Sequence, residues 1–523
     1  MHFNEIERAG DRVRADLIRL GLGFLFIVGL MLHAAFGAGG EHRMMLVIAA
    51  MLGGYMAMNI GANDVANNVG PAVGAKAFSL AGALVIAAVF EAAGALIAGG
   101  EVIDTIRYGI LHPGHITDSE TFVWIMMAGL LGGALWLNIA NAIGAPVSTT
   151  HTIVGAVLGA GVAAAGPEIV NWNTIGAVSI SWVVSPLAGG IFAAAFLYLI
   201  KRSITYHVDM AAAARRAVPL LVAAMAWVFV SFLALKGINR VWSVSFAEAL
   251  LYGALAALPV YVHKRHALAP RGRVLANTKQ AVNRMFTVPL IFAAALLSFA
   301  HGSNDVANVV GPLAAIVETL SNGGEIHSSA PIPLWVMMVG ALGLAVGLAL
   351  FGPRVIRTVG SEITELDQMR AYCVAMAVTV TVIVASQFGV PVSSTHIAVG
   401  AVFGVGFLRE YLKTNYDRML EQIKACHPAD DQEAIDSFIA RFEKASVHEK
   451  GRMLADLKER ASQADDPANF SKAERKGLRQ VYRLELVKRA LLRRIVLAWL
   501  ITVPASALMG ATLYFTIRGM MLP

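Results

Sequence analysis

A chain of 523 residues that is 57% hydrophobic and only 15% charged is excluded from being a string of soluble domains, because its apolar runs reach the roughly 20 residues a helix needs to cross a bilayer core. The formal net charge of +7 would point to nucleic acid in a soluble protein, but here Lys and Arg cluster beside the apolar runs, as in cytoplasmic loops of membrane proteins, so no nucleic-acid partner is expected. Two cysteines, Cys373 and Cys426, are too few for a disulfide framework or a thiolate metal cluster.

In chain order, candidate spans cover 18–37, 44–60, 80–99, 122–143, 174–200, 217–235, 244–262, 285–300, 334–352, 370–388 and 495–516. Arg8, Arg12, Arg14 and Arg19 flank the first, yet acidic residues are interspersed and no small-residue cleavage site follows. That predicts a retained helix rather than a secretory signal.

The chain also repeats itself. GANDVANNVGP, from Gly61, returns as GSNDVANVVGP from Gly302, and GAPVSTTHTIVGAVLGAG, from Gly144, returns as GVPVSSTHIAVGAVFGVG from Gly389. Between them GALIAGGEVIDT (94–105) is echoed by GLALFGPRVIRT (347–358), and after them SWVVSP at 181 is echoed by AWLITVP at 498. Four echoes in one order define two copies of one unit.

Charge gives the copies a direction. Lys201, Arg202, Arg215 and Arg216, and then Lys264, Arg265, Arg271, Arg273, Lys279 and Arg284, make 201–216 and 263–284 strongly basic connectors that belong in the cytoplasm. Spans 217–235 and 244–262 fit between them as an out-and-back pair. With the basic N-terminus also inside, span 44–60 enters its GAND phrase from outside, whereas span 285–300 enters its GSND phrase from inside. The expected fold class is therefore all-α: a polytopic helical membrane transporter with inverted internal repeats and discontinuous helices.

The expected organisation is an N-terminal tail and extra span over 1–43, a first repeat over 44–200, a linking helix pair over 201–284, a second repeat over 285–408, a charged cytoplasmic helical insertion over 409–492, and a final span over 493–523 that completes the second repeat. The insertion carries a capping-box pattern at Ser471 and Glu474.

The repeated phrases carry the chemistry. Glycine before a polar cluster and Pro71 or Pro312 after it predict a helix broken near mid-membrane, where freed backbone groups must be satisfied by protein, ion or water. Asn63, Asp64 and Asn67, and their counterparts Asn304, Asp305 and Asn308, offer hard oxygen ligands to a small coupling cation, with sodium possible at Asp64 and Asp305. The bland alternative is amide glue between helices. It explains one asparagine better than two spaced sets, each with an intramembrane carboxylate.

In the second phrase, Pro146 and Pro391 end a helix, and the hydroxyls that follow begin a short glycine-rich one. Ser148, Thr149 and Thr150, with Ser393, Ser394 and Thr395, therefore present neutral donors and two positive helix ends to an oxyanion. Ordinary capping is the competing reading. His151 and His396 follow directly and, with Glu91 inside span 80–99, are candidates for proton or cation tuning. Glu91 has the apolar counterpart Leu344, so it lies outside the symmetric framework.

GANDVANNVGPAVGA and GSNDVANVVGP, with PVSTTH and PVSSTH downstream, resemble the paired signatures of the inorganic phosphate transporter (PiT) family over nearly all of 44–408 and 495–516. The resemblance implies a homodimeric carrier that is not an enzyme and needs no cofactor beyond its coupling ion. It would move inorganic phosphate with sodium or protons, or as a metal-phosphate complex in some bacterial members. It puts cation binding on the Asn, Asp and Asn triplets and phosphate contacts on the hydroxyls at 148–150 and 393–395. The expected site is the lipid of a plasma membrane, in a bacterium the inner membrane, crossed many times with the N-terminus in the cytoplasm. The extra span at 18–37 and the late insertion depart from the family pattern. Two alternatives stay open: a permease for sulfate or another tetrahedral oxyanion, and an intramembrane metal-dependent phosphotransferase using Asp64 and Asp305 as metal ligands.

Overall fold

The computed structural model describes residues 2–37, 42–116, 118–145, 147–237, 242–268, 276–321, 331–359, 366–425 and 489–521. Among the described residues, eleven helices are long and apolar enough to cross a membrane, one for each span expected from hydropathy. The elements are α1 (His2–Gly37), α2 (Arg43–Gly74), α3 (Leu80–Ala98), α4 (Gly100–Asp104), α5 (Ser119–Ile143), α6 (Thr149–Ala165), α7 (Trp172–Ile200), α8 (Met210–Lys236), α9 (Phe246–Ala267), α10 (Lys279–Met285), α11 (Thr287–Asp305), α12 (Ala307–Ser321), α13 (Leu334–Val359), α14 (Gln368–Gln387), α15 (Ser394–Ala425) and α16 (Arg489–Met521).

The buried apolar side chains form two large clusters, and these fix the relation between the repeats. Ala49 to Ile60 of α2 lie in one cluster, whereas Val65 to Ala72 of the same helix lie in the other. In the second repeat the order is reversed: Leu290 to Ala300 of α11 belong to the second cluster and Val306 to Val317 to the first. Helix α3 crosses from the second cluster to the first (Ala83 and Ala87, then Ala95), and α13 crosses back (Leu344, then Leu348). The two copies therefore run antiparallel through a shared structure. The polar phrases fall at the level where one cluster gives way to the other.

Close packing repeats with the same exchange. A Cβ on Gly61 would fall 2.0 Å from the carbonyl oxygen of Leu344, and one on Gly302 would fall 2.0 Å from that of Glu91. Only glycine lets α2 meet α13, and α11 meet α3, at this distance. Helices α6 and α16 pack together as do their counterparts α15 and α7, and α8 packs on α9 as the expected out-and-back pair. Helix α1 lies against α2, with Leu30 and Ile27 beside Gly54.

One expectation is corrected. The GAND phrase does not break its helix: α2 stays α-helical from Arg43 to Gly74, with Pro71 in the closing turn. Its counterpart is interrupted only at Val306, whose backbone (φ −58°, ψ −29°) is still close to helical. The reason is that the asparagine side chains find partners on neighbouring helices instead of competing for their own backbone, and one helical glycine costs only about 1 kcal/mol.

The discontinuities lie instead before the hydroxyls. Helix α5 ends at Gly144 (φ 70°) and the chain after α14 turns at Gly389 (φ 64°), both left-handed positions that suit glycine. Ser148 then caps α6, its Oγ accepting from the His151 N–H at 3.1 Å, and Ser393 accepts from the His396 N–H at 3.2 Å. With 17 residues, α6 is shorter than a full crossing. Helix α15 continues through 408 to Ala425. Pro146, Ser471, Glu474 and 426–488 lie outside the described residues.

Candidate functional site

The polar layer between the two apolar clusters contains all twelve residues expected to bind cation or anion, and every one is buried. The hydroxyls and the acidic phrases are hydrogen-bonded directly to one another. Thr395 Oγ1 donates to Asp64 Oδ1 at 2.8 Å and accepts from Asn67 Nδ2 at 2.9 Å, while Ser394 Oγ donates to Asp305 Oδ2 at 2.8 Å. In return Asn308 Nδ2 donates to Thr150 Oγ1 at 3.3 Å and to Thr149 Oγ1 at 3.4 Å. Thr149 and Thr150 of the first repeat and Thr395 of the second are thus bound to the acidic phrase of the other repeat, whereas Ser394 joins its own repeat's Asp305 and Ser148 and Ser393 cap their own helices.

Backbone contacts keep the exchange. Thr150 Oγ1 donates to the carbonyl of Val392 at 3.1 Å, and Thr395 Oγ1, whose proton goes to Asp64, lies 3.4 Å from the carbonyl of Val147. Asn63 Nδ2 donates to Asn141 Oδ1 at 2.7 Å on α5, and the amide of Asn304 lies 3.0 Å from Ser386 Oγ on α14. Asn141 and Ser386 occupy matching places in the repeats and were not picked out in the sequence. Their only signal there is a polar residue inside an apolar span, which for one residue reads as interhelical glue.

Glu91 is fully buried, accepts from Asn68 Nδ2 at 3.3 Å and contacts the Nδ1 of His301. His301 itself escaped the sequence reading because it lies just before the second phrase, at a place where the first repeat has Ile60. Its Nε2 lies 2.5 Å from Asp305 Oδ2 and 3.5 Å from Asp64 Oδ2. One imidazole therefore meets carboxylates from α2, α3 and α11.

His151 and His396 point elsewhere. His151 packs tilted against Trp182 at 3.7 Å, His396 stacks on Trp499 at 3.6 Å, and the two imidazoles meet edge-on at 4.3 Å. Their ring nitrogens make no hydrogen bond among the described residues. They form an aromatic joint between α6 and α15 on the pseudo-two-fold, and what they share with the hydroxyls is the helix start, through their backbone N–H groups.

Antiparallel helical halves that enclose buried carboxylates, amides and hydroxyls define a polytopic membrane transporter, since ionisable groups at this depth persist where they serve a solute or ion pathway. The sequence matches the Phosphate transporter family over residues 60–510. It is 49% identical to a candidate phosphate permease of Helicobacter pylori strain J99 across 98% of this chain and 97% of that one. A candidate phosphate permease of Chlamydia trachomatis is 41% identical across 70% of this chain and 90% of its own length. A solved structure of a sodium-dependent phosphate transporter superposes with a TM-score of 0.72 at 29% identity, covering 92% of this chain and all of that one (100%). The chain belongs to the phosphate transporter family, and its relatives are carriers rather than phosphotransferases.

Proposed function

We propose that this chain imports inorganic phosphate together with sodium or protons by alternating access around the polar layer. The observation that carries the reading is the exchange of hydrogen bonds in which Thr395 and Ser394 hold Asp64 and Asp305, while Asn308 holds Thr149 and Thr150. Phosphate would be held by Ser148, Thr149, Thr150, Ser393, Ser394 and Thr395. The coupling cations would be held by Asn63, Asp64 and Asn67 and by Asn304, Asp305 and Asn308.

The charge balance supports coupling. Two unit negative charges about 4 Å apart repel by about 4 kcal/mol at an effective dielectric near 20, so phosphate and the aspartates tolerate each other only with positive charge between them. A cation that frees the hydroxyls from Asp64 and Asp305 both neutralises the carboxylates and releases donors for phosphate, and each ligand then raises the affinity for the other. Helices α6 and α15, each begun by a chain reversal at glycine, are the elements that would move with the anion. The protein would work as a homodimer in the plasma membrane, in a bacterium the inner one, with its N-terminus in the cytoplasm.

The test is uptake of labelled phosphate by proteoliposomes under an imposed sodium or proton gradient. Uptake should follow one of these gradients, resist excess unlabelled sulfate, and be lost in Asp64→Asn and Asp305→Asn proteins that fold and insert normally. Full uptake in both variants would remove the carboxylates from the mechanism.

A further inference from the structure

The two ends of the bundle are built from matching pieces of the inverted repeats, yet they differ in charge. Glycines fix the correspondence: Gly404 lets α15 meet the carbonyl of Gly190 on α7 as Gly159 lets α6 meet that of Ala507 on α16. In the same register Arg370, near the start of α14, corresponds to Ile125 of α5, Arg409 of α15 to Ala164 of α6, and Lys201, just after α7, to Arg518 of α16. At one end Ile125 is a fully buried member of an apolar cluster, Ala164 packs against that cluster and Arg518 is exposed. At the other end all three positions are cationic and half-buried. Packing at this junction needs no charge, as the apolar end shows.

The cations also converge. Arg370, Arg409 and Lys279 each act on the charge of Lys201 more strongly than the carboxylate of Asp367 does. Asp367 is itself engaged with Arg370, accepting from its backbone N–H at 2.9 Å and lying 3.4 Å from its Nε. Lys279 comes from α10 in the linking segment, which Asn283 fastens to α14 by accepting from the Met369 N–H at 2.9 Å. A basic residue beside a cytoplasmic span is ordinary, but that rule gives no reason for cations at 201, 279, 370 and 409 to meet. Like charges gathered between helices call for a counter-charge. Lys201 and Arg370 lie within apolar segments long enough to span, Trp172–Thr205 and Gln368–Gln387, close to their ends, which is headgroup depth. There the chain leaves its α-helix for a π-helical turn at Lys201–Thr205, a distortion that recurs at functional sites.

We infer that Lys201, Lys279, Arg370 and Arg409, at the ends of α7, α10, α14 and α15, form a binding site for the phosphate group of an anionic phospholipid headgroup. A phosphodiester supplies fixed negative charge, Arg and Lys are the side chains that seat it, and basic pockets between membrane helices bind such headgroups. A lipid fits better than a free anion because the apolar surface needed for its acyl chains adjoins the cluster. Tyr198, one turn before Lys201, and Leu199 beside it are 43% and 58% exposed, and tyrosine is a residue of the headgroup boundary. The α14 chain leads directly into the turn that opens α15, so a headgroup held here would brace both helices around the second hydroxyl phrase. The inference goes beyond the transport reading and does not rest on it.

Purified full-length protein in a neutral detergent is titrated with short-chain phosphatidylglycerol and, separately, with short-chain phosphatidylcholine. Binding is read from thermal unfolding and from lipid retained in native mass spectrometry. Phosphatidylglycerol should raise the unfolding temperature and stay bound, whereas phosphatidylcholine should do neither. Lys201→Gln and Lys279→Gln should each weaken phosphatidylglycerol binding about fivefold, and Arg518→Gln, at the matching place of the other end, should leave it unchanged. Lys279 is exposed, so its variant decides if Lys201→Gln does not fold. Equal affinity for the two lipids, or affinity unchanged in the folded lysine variants, overturns the site. Inorganic phosphate in large excess should not displace the lipid. Displacement would assign the cations to the free anion and overturn the lipid assignment.

Discussion

Thr395 donates its hydroxyl to Asp64 at 2.8 Å although 331 residues separate them, and this bond joins the hydroxyl phrase of one repeat to the acidic phrase of the other. Removing it leaves a buried carboxylate short of one charge-assisted partner, worth about 1.5–3 kcal/mol. Thr395→Val should therefore lower phosphate uptake by at least about tenfold, and Thr395→Ser should restore most of it. Uptake in proteoliposomes at matched protein density is the measurement, and an active valine variant would show that the bond is incidental.

Asn141 and Ser386 position the phrases from outside. If Asn63 and Asn304 bind the coupling cation, Asn141→Ala and Ser386→Ala should each raise the cation concentration needed for half-maximal uptake by about tenfold, the worth of one hydrogen bond of about 1.4 kcal/mol. The maximal rate at saturating cation should change little. A fall in maximal rate with unchanged cation dependence would assign these residues to the conformational step instead.

The antiparallel arrangement places Lys76, exposed just after α2, and Ser321, exposed at the end of α12, on opposite sides of the membrane. After Cys373 and Cys426 are replaced, single cysteines at these two positions should react with a membrane-impermeant thiol reagent from opposite faces. Labelling of both from one face of intact vesicles would contradict the inverted topology.

Gly302 and Gly61 are set by contact rather than by any preference of their own turns. Gly302→Ala and Gly61→Ala each drive a methyl group into a neighbouring helix's carbonyl, so each should destabilise the protein by about 3 kcal/mol or prevent its insertion. Gly70, in the same helix as Gly61, has nothing within 4 Å of its would-be Cβ. Gly70→Ala should be neutral or stabilising by up to about 1 kcal/mol. Thermal unfolding in detergent ranks the three.

Arg107 and Glu318 form a buried ion pair that Tyr108 joins through its hydroxyl, tying the segment after α4 to α12. Breaking such a pair from one side costs about 3–5 kcal/mol, whereas replacing both partners by apolar residues is often tolerated. Arg107→Leu and Glu318→Leu should each be strongly destabilising and the double variant markedly less so, as read by a double-mutant cycle on unfolding in detergent.

Much of this architecture was legible before any coordinates. Hydropathy located all eleven spans, because burying a span in lipid demands a long apolar run whatever it packs against. Repetition and the basic connectors gave two opposed copies, since both are properties of residue order and loop charge. The twelve polar residues that share the buried layer were legible for the same reason: polar groups stand out in an apolar run. The proposed helix break was misread because a Gly-Asn-Asp string is ambiguous locally, and only the partners supplied by α5, α14, α6 and α15 keep α2 intact.

What the residue order by itself determined is the membrane class, the number of spans, the two inverted copies and the chemical inventory of their phrases, all of which follow from local polarity and its repetition. The tertiary structure alone decided which groups meet. It tied Thr395 to Asp64 and Asn308 to Thr150, turned His151 and His396 into an aromatic joint, and set His301 between two aspartates with Glu91 behind it. Those pairings depend on contacts between helices distant in sequence, and a single histidine beside an apolar span gains its meaning only from the three carboxylates that packing brings to it.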